Sequence, residues 1–91
     1  RKKMINQFSK KINIILYVEK IKEVLTKKND VMAFVIASDE FKSISLTLFP
    51  SIYQENKDLK YGDIISVIGR VEKRFDEYQI VVNSITKLKS S

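Results

Sequence analysis

Residues 31–50 read VMAFVIASDEFKSISLTLFP, and this stretch decides the fold. Side chains alternate between two sets through residues 31–38 and again through residues 43–49, which is the two-residue period of a β-strand. Polar and charged residues separate the two runs, so the pattern predicts two strands joined by a short turn. Pro50 ends the second strand and is well placed to begin a helix, because proline is tolerated in a first helical turn.

The alternation also assigns a face to the side chains of these two strands. Six aliphatic residues are expected to face the core: Ala33, Val35, Ala37, Ile44, Leu46 and Leu48. Phe34 is therefore expected to face outward, as are Ser45 and Thr47 of the following strand. An outward phenylalanine is available for stacking, and packing under a loop or against a neighbouring domain is the alternative.

Three further strands and one helix complete the pattern. Strands are predicted at residues 12–25, 64–73 and 78–86, and a short amphipathic helix at residues 51–60. Their inward residues are expected to be Ile12, Ile14, Leu16, Val18, Ile65, Val67, Gly69, Val71, Tyr78, Ile80 and Val82. The first strand is long enough to bend or bulge, and a glycine inside the fourth indicates a bend or a close backbone approach. Five strands, with the only helix between the third and fourth, predict an all-β OB-fold barrel of Greek-key topology.

Composition excludes most catalytic chemistry. The chain has 91 residues, no cysteine and no histidine, so it makes one domain without thiolate or imidazole ligands or the usual nucleophile–base pairs. Its two glycines form no phosphate-binding loop. We therefore expect no catalytic residue, metal or cofactor in this domain. No apolar run approaches the ~20 residues of a membrane span, and the chain does not open on a signal-peptide pattern, so we expect a cytoplasmic location without membrane contact.

The positive charge is distributed unevenly. The formal net charge is +6, but five of the seventeen basic residues lie in residues 1–11, and the remaining 80 residues carry a net charge of +1. We interpret residues 1–11 as a basic linker or short helix from an upstream domain, residues 12–88 as the OB domain and residues 89–91 as a tail. The isolated domain is expected to be a monomer. The case for an acidic partner depends on where the remaining charges fall.

Those charges lie where an OB fold would use them. OB folds bind oligonucleotides on strands 2 and 3, between the loops that join strands 1 and 2 and strands 4 and 5. Both loops are basic here, and exposed aromatic rings on or beside the strands are platforms for base stacking. Hydroxyl groups on the same face can bond bases or sugars. The predicted nucleic-acid-binding residues are Lys20, Lys22, Lys27, Lys28, Phe34, Ser45, Thr47, Lys73, Arg74 and Phe75.

Several of these stretches carry a resemblance to a known family. Residues 27–35 read Lys-Lys-Asn-Asp-Val-Met-Ala-Phe-Val, a Phe-Pro pair precedes the helix, and Gly-Asp and Gly-Arg-Val follow at residues 62–63 and 69–71. Residues 12–88 thereby resemble the OB domain near the C-terminal end of the bacterial replicative DNA polymerase III alpha subunit.

Three positions depart from that family's pattern. Asn29 and Leu16 stand where the family usually has glycine, and Asp76-Glu77 replaces a usual Asp-Gly. The first departure is mild, because asparagine tolerates left-handed turns. The resemblance implies a module that holds single-stranded template DNA for a DNA-directed DNA polymerase, a nucleotidyltransferase whose catalytic carboxylates lie in another domain. It also implies contacts with other domains of the parent and with replisome subunits.

Two other functions stay open. An anticodon-binding OB domain of a class II aminoacyl-tRNA synthetase also has a phenylalanine on strand 2, but usually an arginine before the strand-ending aspartate, where this chain has Ser38 before Asp39. A protein-interaction module is the other function, because much apolar surface is expected to face outward. The outward apolar residues are Ile15, Tyr17, Ile36, Ile64, Ile68 and Val81.

Overall fold

The structure, a computed structural model, describes residues 11–74 and 76–90 as five strands and one helix. The elements are β1 (Lys11–Leu25), β2 (Val31–Ser38), β3 (Ser43–Leu48), α1 (Pro50–Glu55), β4 (Ile64–Arg74) and β5 (Glu77–Lys89). The strands close into a barrel in the order β1-β2-β3-β5-β4. Only the β3–β5 pairing is parallel within this part of the chain. The predicted five-stranded OB topology, with one helix between the third and fourth strands, is confirmed.

The long strand β1 serves both sides of the barrel. Its first half pairs with β4 as far as Tyr17, and its second half pairs with β2 as far as Leu25. The register shifts between Val18 and Lys20, which is the irregularity expected of a strand that changes partners. The backbone of Asp63 closes this corner, because the Val18 N–H donates to its carbonyl oxygen at 2.9 Å.

The predicted core positions are buried along most of the sheet. The side chains that form this core are Leu16, Val18, Ala33, Val35, Ala37, Leu46, Leu48, Tyr53, Leu59, Ile65, Val67, Ile80 and Val82. Gly69 confirms the expected close approach, since a Cβ there would lie 2.4 Å from the Val81 carbonyl oxygen. Asn29 also behaves as expected, with a φ of 67° in the turn between β1 and β2.

Two side chains of β5 lie in surroundings that alternation did not predict. Tyr78 was expected in the core but is 57% exposed, because the β4–β5 hairpin continues past the end of the barrel and has no core beneath it there. Val81 was expected to be an exposed outward residue but is only 8% exposed. It does point outward, but its neighbours on the adjacent strands cover it.

Two element ends also differ from the prediction. The helix ends at Glu55 rather than at residue 60, and β5 continues to Lys89, whereas the strand was expected to end at residue 86. Lys87 holds this end of β5, since its Nζ lies 3.2 Å from Oδ2 of the buried Asp63 and 3.3 Å from Oδ2 of Asp58. The basic segment of residues 1–11 lies outside the described residues except for Lys11, and the domain boundaries therefore stay a prediction.

A partly buried hydrogen bond joins the helix α1 to the barrel. The Tyr53 hydroxyl donates to a Glu23 carboxylate oxygen of β1. This bond and the burial of the ring raise the pKa of Tyr53 to about 12. No helix among the described residues is long and apolar enough to cross a membrane.

Candidate nucleic-acid interface

Strand pairing places five outward side chains in one line across the barrel. The register pairs Lys22 with Phe34, Phe34 with Thr47, Thr47 with Val81, and Val81 with Arg70. We call this line the outer row. It has a cation at each edge, an aromatic ring beside one cation, and small or aliphatic side chains between. Paired residues on one sheet face have Cβ atoms about 5 Å apart, so the row crosses four strand spacings.

A second line runs beside the outer row, two residues further along each strand. It pairs Lys20 with Ile36, Ile36 with Ser45, Ser45 with Gln79, and Gln79 with Glu72. Lys20 and Lys22 therefore lie on the sheet face itself, beside Ile36 and Phe34, and not only at the entrance to the first loop. The two lines together form a continuous surface on β1, β2, β3, β5 and β4.

A shallow depression of about 320 Å³ occupies the middle of this surface. Its lining residues are Met32, Phe34, Thr47, Phe49, Arg70, Glu72, Gln79 and Val81. Phe34 is 39% exposed, so the predicted outward phenylalanine is available to a ligand. Phe49, which caps α1, is 49% exposed and adds a second ring to the same depression. Both rings offer apolar faces of the size of a nucleobase.

The two predicted hydroxyl groups have different surroundings. Ser45 is partly exposed in the second line. Thr47 faces outward as predicted but is only 5% exposed, and its hydroxyl donates to Oε1 of Gln79 at 3.1 Å. The Thr47 hydroxyl is therefore engaged within the protein, and the polar group that reaches the ligand side is the Gln79 amide.

The first basic loop follows β1 at one end of this surface. Lys27 and Lys28 are both exposed there. The Thr26 hydroxyl oxygen accepts hydrogen bonds from the backbone N–H groups of Lys28 and Asp30, each at 3.2 Å, and so shapes the turn. Residue 31 begins β2 at this end of the surface. It lies about 17 Å along the strand from residue 36, which belongs to the second line.

The second loop lies at the opposite end of the surface. Lys73 is exposed, and its ammonium group lies 5.7 Å from the centre of the Tyr78 ring. Arg74 ends β4 and pairs through its backbone with Glu77, while the predicted stacking residue Phe75 lies outside the described residues. Asp76 and Glu77 are both exposed in the same hairpin, so acidic groups accompany the predicted basic ones.

Sequence reasoning missed six of the eight residues that line the depression. None of them was among the predicted contacts: Met32, Phe49, Arg70, Glu72, Gln79 and Val81. Arg70 lies 3.3 Å from Glu72, and both side chains are more than two-fifths exposed. An exposed pair of this kind contributes about 0–1 kcal/mol, so Arg70 can exchange its partner for a phosphate. Alternation along β4 indicated that Arg70 points outward, but only the strand register places it beside Val81.

Among the described residues no group of three or more acidic side chains could hold a metal ion. The surface described above offers rings, one amide, hydroxyls, cations and the carboxylate of Glu72. Such groups bind a ligand, stack on it and neutralise its charge.

The chain is similar to parts of much longer proteins. It is 28% identical over 76 residues to a DNA polymerase III subunit alpha of Staphylococcus aureus, which covers 82% of this chain and 7% of the relative. A DNA polymerase III subunit alpha of Halalkalibacterium halodurans is 30% identical over 74 residues, which is 79% of this chain and 7% of the relative. The chain thus spans about 7% of the length of these curated relatives.

Solved structures share the fold at low sequence identity. A mitochondrial single-stranded DNA binding protein of S. cerevisiae superposes with a TM-score of 0.73 at 15% identity, covering 91% of this chain and 98% of that chain. The second OB-fold domain of replication protein A from Methanococcus maripaludis has a TM-score of 0.55 at 24% identity, covering 91% of this chain and 86% of that chain.

The family model tRNA_anti-codon, described as an OB-fold nucleic acid binding domain, matches residues 11–88. This match spans the whole barrel, from the first residue of β1 nearly to the end of β5. The chain belongs to the family of OB-fold nucleic acid binding domains.

Proposed function

We propose that this domain binds single-stranded DNA across the outer row, as a module that holds the template strand for a bacterial replicative DNA polymerase. The outer row is the observation that carries the proposal. Lys22 and Arg70 lie at the two edges of an aromatic and aliphatic surface. Phosphates can therefore contact these two cations while an unpaired base stacks on Phe34. A base inside a duplex has no free face to offer this ring.

The comparisons support the proposal in two ways. The relatives with sequence similarity are named as DNA polymerase III subunit alpha, and one solved neighbour is named as a single-stranded DNA binding protein. We expect the parent to be a long chain like these relatives, with its polymerase chemistry in a part of that chain outside this domain. The cytoplasmic location and the contacts with replisome subunits are parts of this proposal.

The charge balance indicates modest affinity. Residues 12–91 carry a net charge of +1, and Glu72, Asp76 and Glu77 lie on or beside the proposed path. Sequence-independent affinity for nucleic acid comes mainly from phosphate neutralisation. A nearly neutral barrel is therefore expected to bind a single strand weakly by itself, and to gain affinity from the other domains of its parent.

The experiment compares a fluorescently labelled thymidine oligonucleotide with a duplex of the same length by anisotropy at low salt. We expect tighter binding of the single strand, and a loss of about 5- to 150-fold on Phe34→Ala, which is the fold-change of a stacking contribution of about 1–3 kcal/mol. Phe41→Ala is the matched control, because Phe41 is 88% exposed in the turn between β2 and β3 and lines no part of the depression. Equal affinity for both forms, together with no effect of Phe34→Ala, would refute the proposal.

A protein-contact function has its own support. Ile15, Tyr17, Phe41 and Tyr61 are exposed large apolar residues, and the Tyr17 and Tyr61 rings meet edge to face at 6.0 Å. Exposed apolar surface of this kind is typical of contact with another protein. Binding of a replisome subunit without any oligonucleotide binding at low salt would favour this function over the first. Both functions are compatible, because this surface and the outer row use different residues.

Specific binding of tRNA in the same assay would favour the anticodon-binding alternative. The structure gives Ser38 a local role, since its hydroxyl donates to Glu19 at 2.9 Å. The position that is usually arginine in those synthetases therefore carries a short side chain that is bonded to Glu19 on the surface of the barrel.

A further inference from the structure

The pair Thr47–Gln79 is a polar contact between two residues that line the depression. Thr47 is nearly fully buried, and buried hydroxyl groups are hydrogen-bonded in native proteins. Its hydroxyl donates to Oε1 of Gln79 at 3.1 Å. The amide oxygen of Gln79 is thereby engaged, and the two N–H donors of the amide group are directed away from that bond.

The location of Gln79 places these donors beside the stacking ring. Gln79 lies between Ser45 and Glu72 in the second line, and it lines the same depression as Phe34. The floor there is Val81, which is apolar and 8% exposed. Glu72 is the cross-strand neighbour of Gln79, and its carboxylate lies 3.3 Å from the Arg70 guanidinium group. A base stacked on Phe34 therefore shares the depression with the N–H donors of this amide.

The edge chemistry of the bases then decides which base fits. An amide with a free oxygen and free N–H groups can make a bidentate contact with the amino group and N7 of adenine. In Gln79 the oxygen that the adenine amino group would need already accepts from Thr47. The N–H donors that remain can bond a carbonyl oxygen of thymine without using that oxygen.

We propose that Gln79, oriented by Thr47, is a specificity-determining residue that favours thymine over adenine at the position stacked on Phe34. This inference rests on the proposed function, because it needs a single strand on the outer row. It adds base preference to a surface whose phosphate contacts are independent of sequence. Thr47 acts through Gln79 and is a positioning residue.

The experiment measures the ratio of affinities for a thymidine and an adenosine oligonucleotide of equal length in wild type, Gln79→Ala and Gln79→Glu. Ratios are compared between variants, so the stacking of the free adenosine strand cancels. Removing one hydrogen bond is expected to lower thymidine affinity by about 2- to 10-fold while adenosine affinity changes by less than about 2-fold. Gln79→Glu keeps an acceptor for Thr47 but removes the N–H donors, so it is also expected to lower the ratio of thymidine to adenosine affinity. Its negative charge is expected to lower the affinity for both oligonucleotides equally, which leaves the ratio unaffected by the charge.

Two further variants separate orientation from contact. Thr47→Val removes the hydroxyl with little change of volume and is expected to lower the ratio in the same direction. Asn83→Ala is the matched control, because Asn83 is an exposed amide on the same strand that lines no part of the depression. The thermal stability of each variant is measured first, and affinities are compared only between variants that are as stable as the wild type.

The possible results distinguish this inference from the proposed function. Single-strand binding that depends on Phe34, with a ratio unchanged in Gln79→Ala and Gln79→Glu, overturns the role of Gln79 and leaves the proposed function standing. Equal losses for both strands in Gln79→Ala also overturn it. Absence of single-strand binding by the wild type overturns both.

Discussion

The two cations at the edges of the outer row make a quantitative prediction about salt. Lys22 and Arg70 lie in the same line of paired residues, one on β1 and one on β4. A strand that crosses the row would place phosphates near both. The double substitution Lys22→Gln and Arg70→Gln removes both charges while keeping long polar side chains on an exposed face.

The magnitude follows from counterion release. Each phosphate neutralised on a single strand contributes about −0.7 to the slope of log K against log salt. If the described cations on or beside this surface (Lys20, Lys22, Lys27, Lys28, Arg70 and Lys73) each meet one phosphate, the wild-type slope is about −4. Losing two phosphate contacts makes the slope shallower by about 1.4. If these contacts contribute to binding only through ion release, the affinity at about 0.1 M salt falls by about 25-fold.

The assay is a series of anisotropy titrations with one labelled thymidine oligonucleotide at salt concentrations from about 0.02 to 0.2 M, a range in which such slopes are well defined. The charge-matched control is Lys57→Gln with Lys89→Gln, because both lysines are exposed and neither belongs to the outer row or the second line. A double variant whose slope and affinity match those of the control would refute the reasoning, since the strand would then bind elsewhere on the barrel.

Two predictions concern the stability of the barrel itself. Gly69→Ala is expected to cost about 1–3 kcal/mol in urea denaturation, because its Cβ would lie 2.4 Å from the Val81 carbonyl oxygen and 2.7 Å from Cγ2 of Ile80; wild-type stability would show that β4 and β5 can separate freely there. Tyr53 has a pKa raised to about 12 against an unfolded value of about 10, so the folded state favours the neutral phenol. Its contribution of at most about 2–3 kcal/mol is present below pH 10 and is lost as the pH rises from 10 to 12. Denaturation across that window is expected to show this loss in wild type and not in Tyr53→Phe, and identical profiles would contradict the role of the bond to Glu23.

The face of most strand residues could be predicted from the sequence, because the side-chain period of two is a property of the local backbone. It placed Leu16 and Val18 in the core and Phe34 outside. The same rule was wrong for the surroundings of Tyr78, because alternation gives a direction but does not tell whether a core lies in that direction. The hairpin that carries Tyr78 continues beyond the barrel.

The candidate interface could be predicted only in part. The basic turn at Lys27 and Lys28 and the outward ring of Phe34 follow from turn chemistry and alternation. Arg70 and Gln79 could not be found in this way, because their place depends on which strands become neighbours and in what register. The role of Thr47 likewise depends on a partner 32 residues away in the chain.

The sequence alone therefore determined five strands, a helix after the third, a short basic turn and an outward phenylalanine, all of which depend on local periods and turn residues. The tertiary structure decided that Lys22, Phe34, Thr47, Val81 and Arg70 form one line across the barrel. The physical reason is that barrel closure through the parallel β3–β5 pair is a contact between segments distant in the chain. No local pattern encodes that register, and the depression between the two basic loops exists only once it has formed.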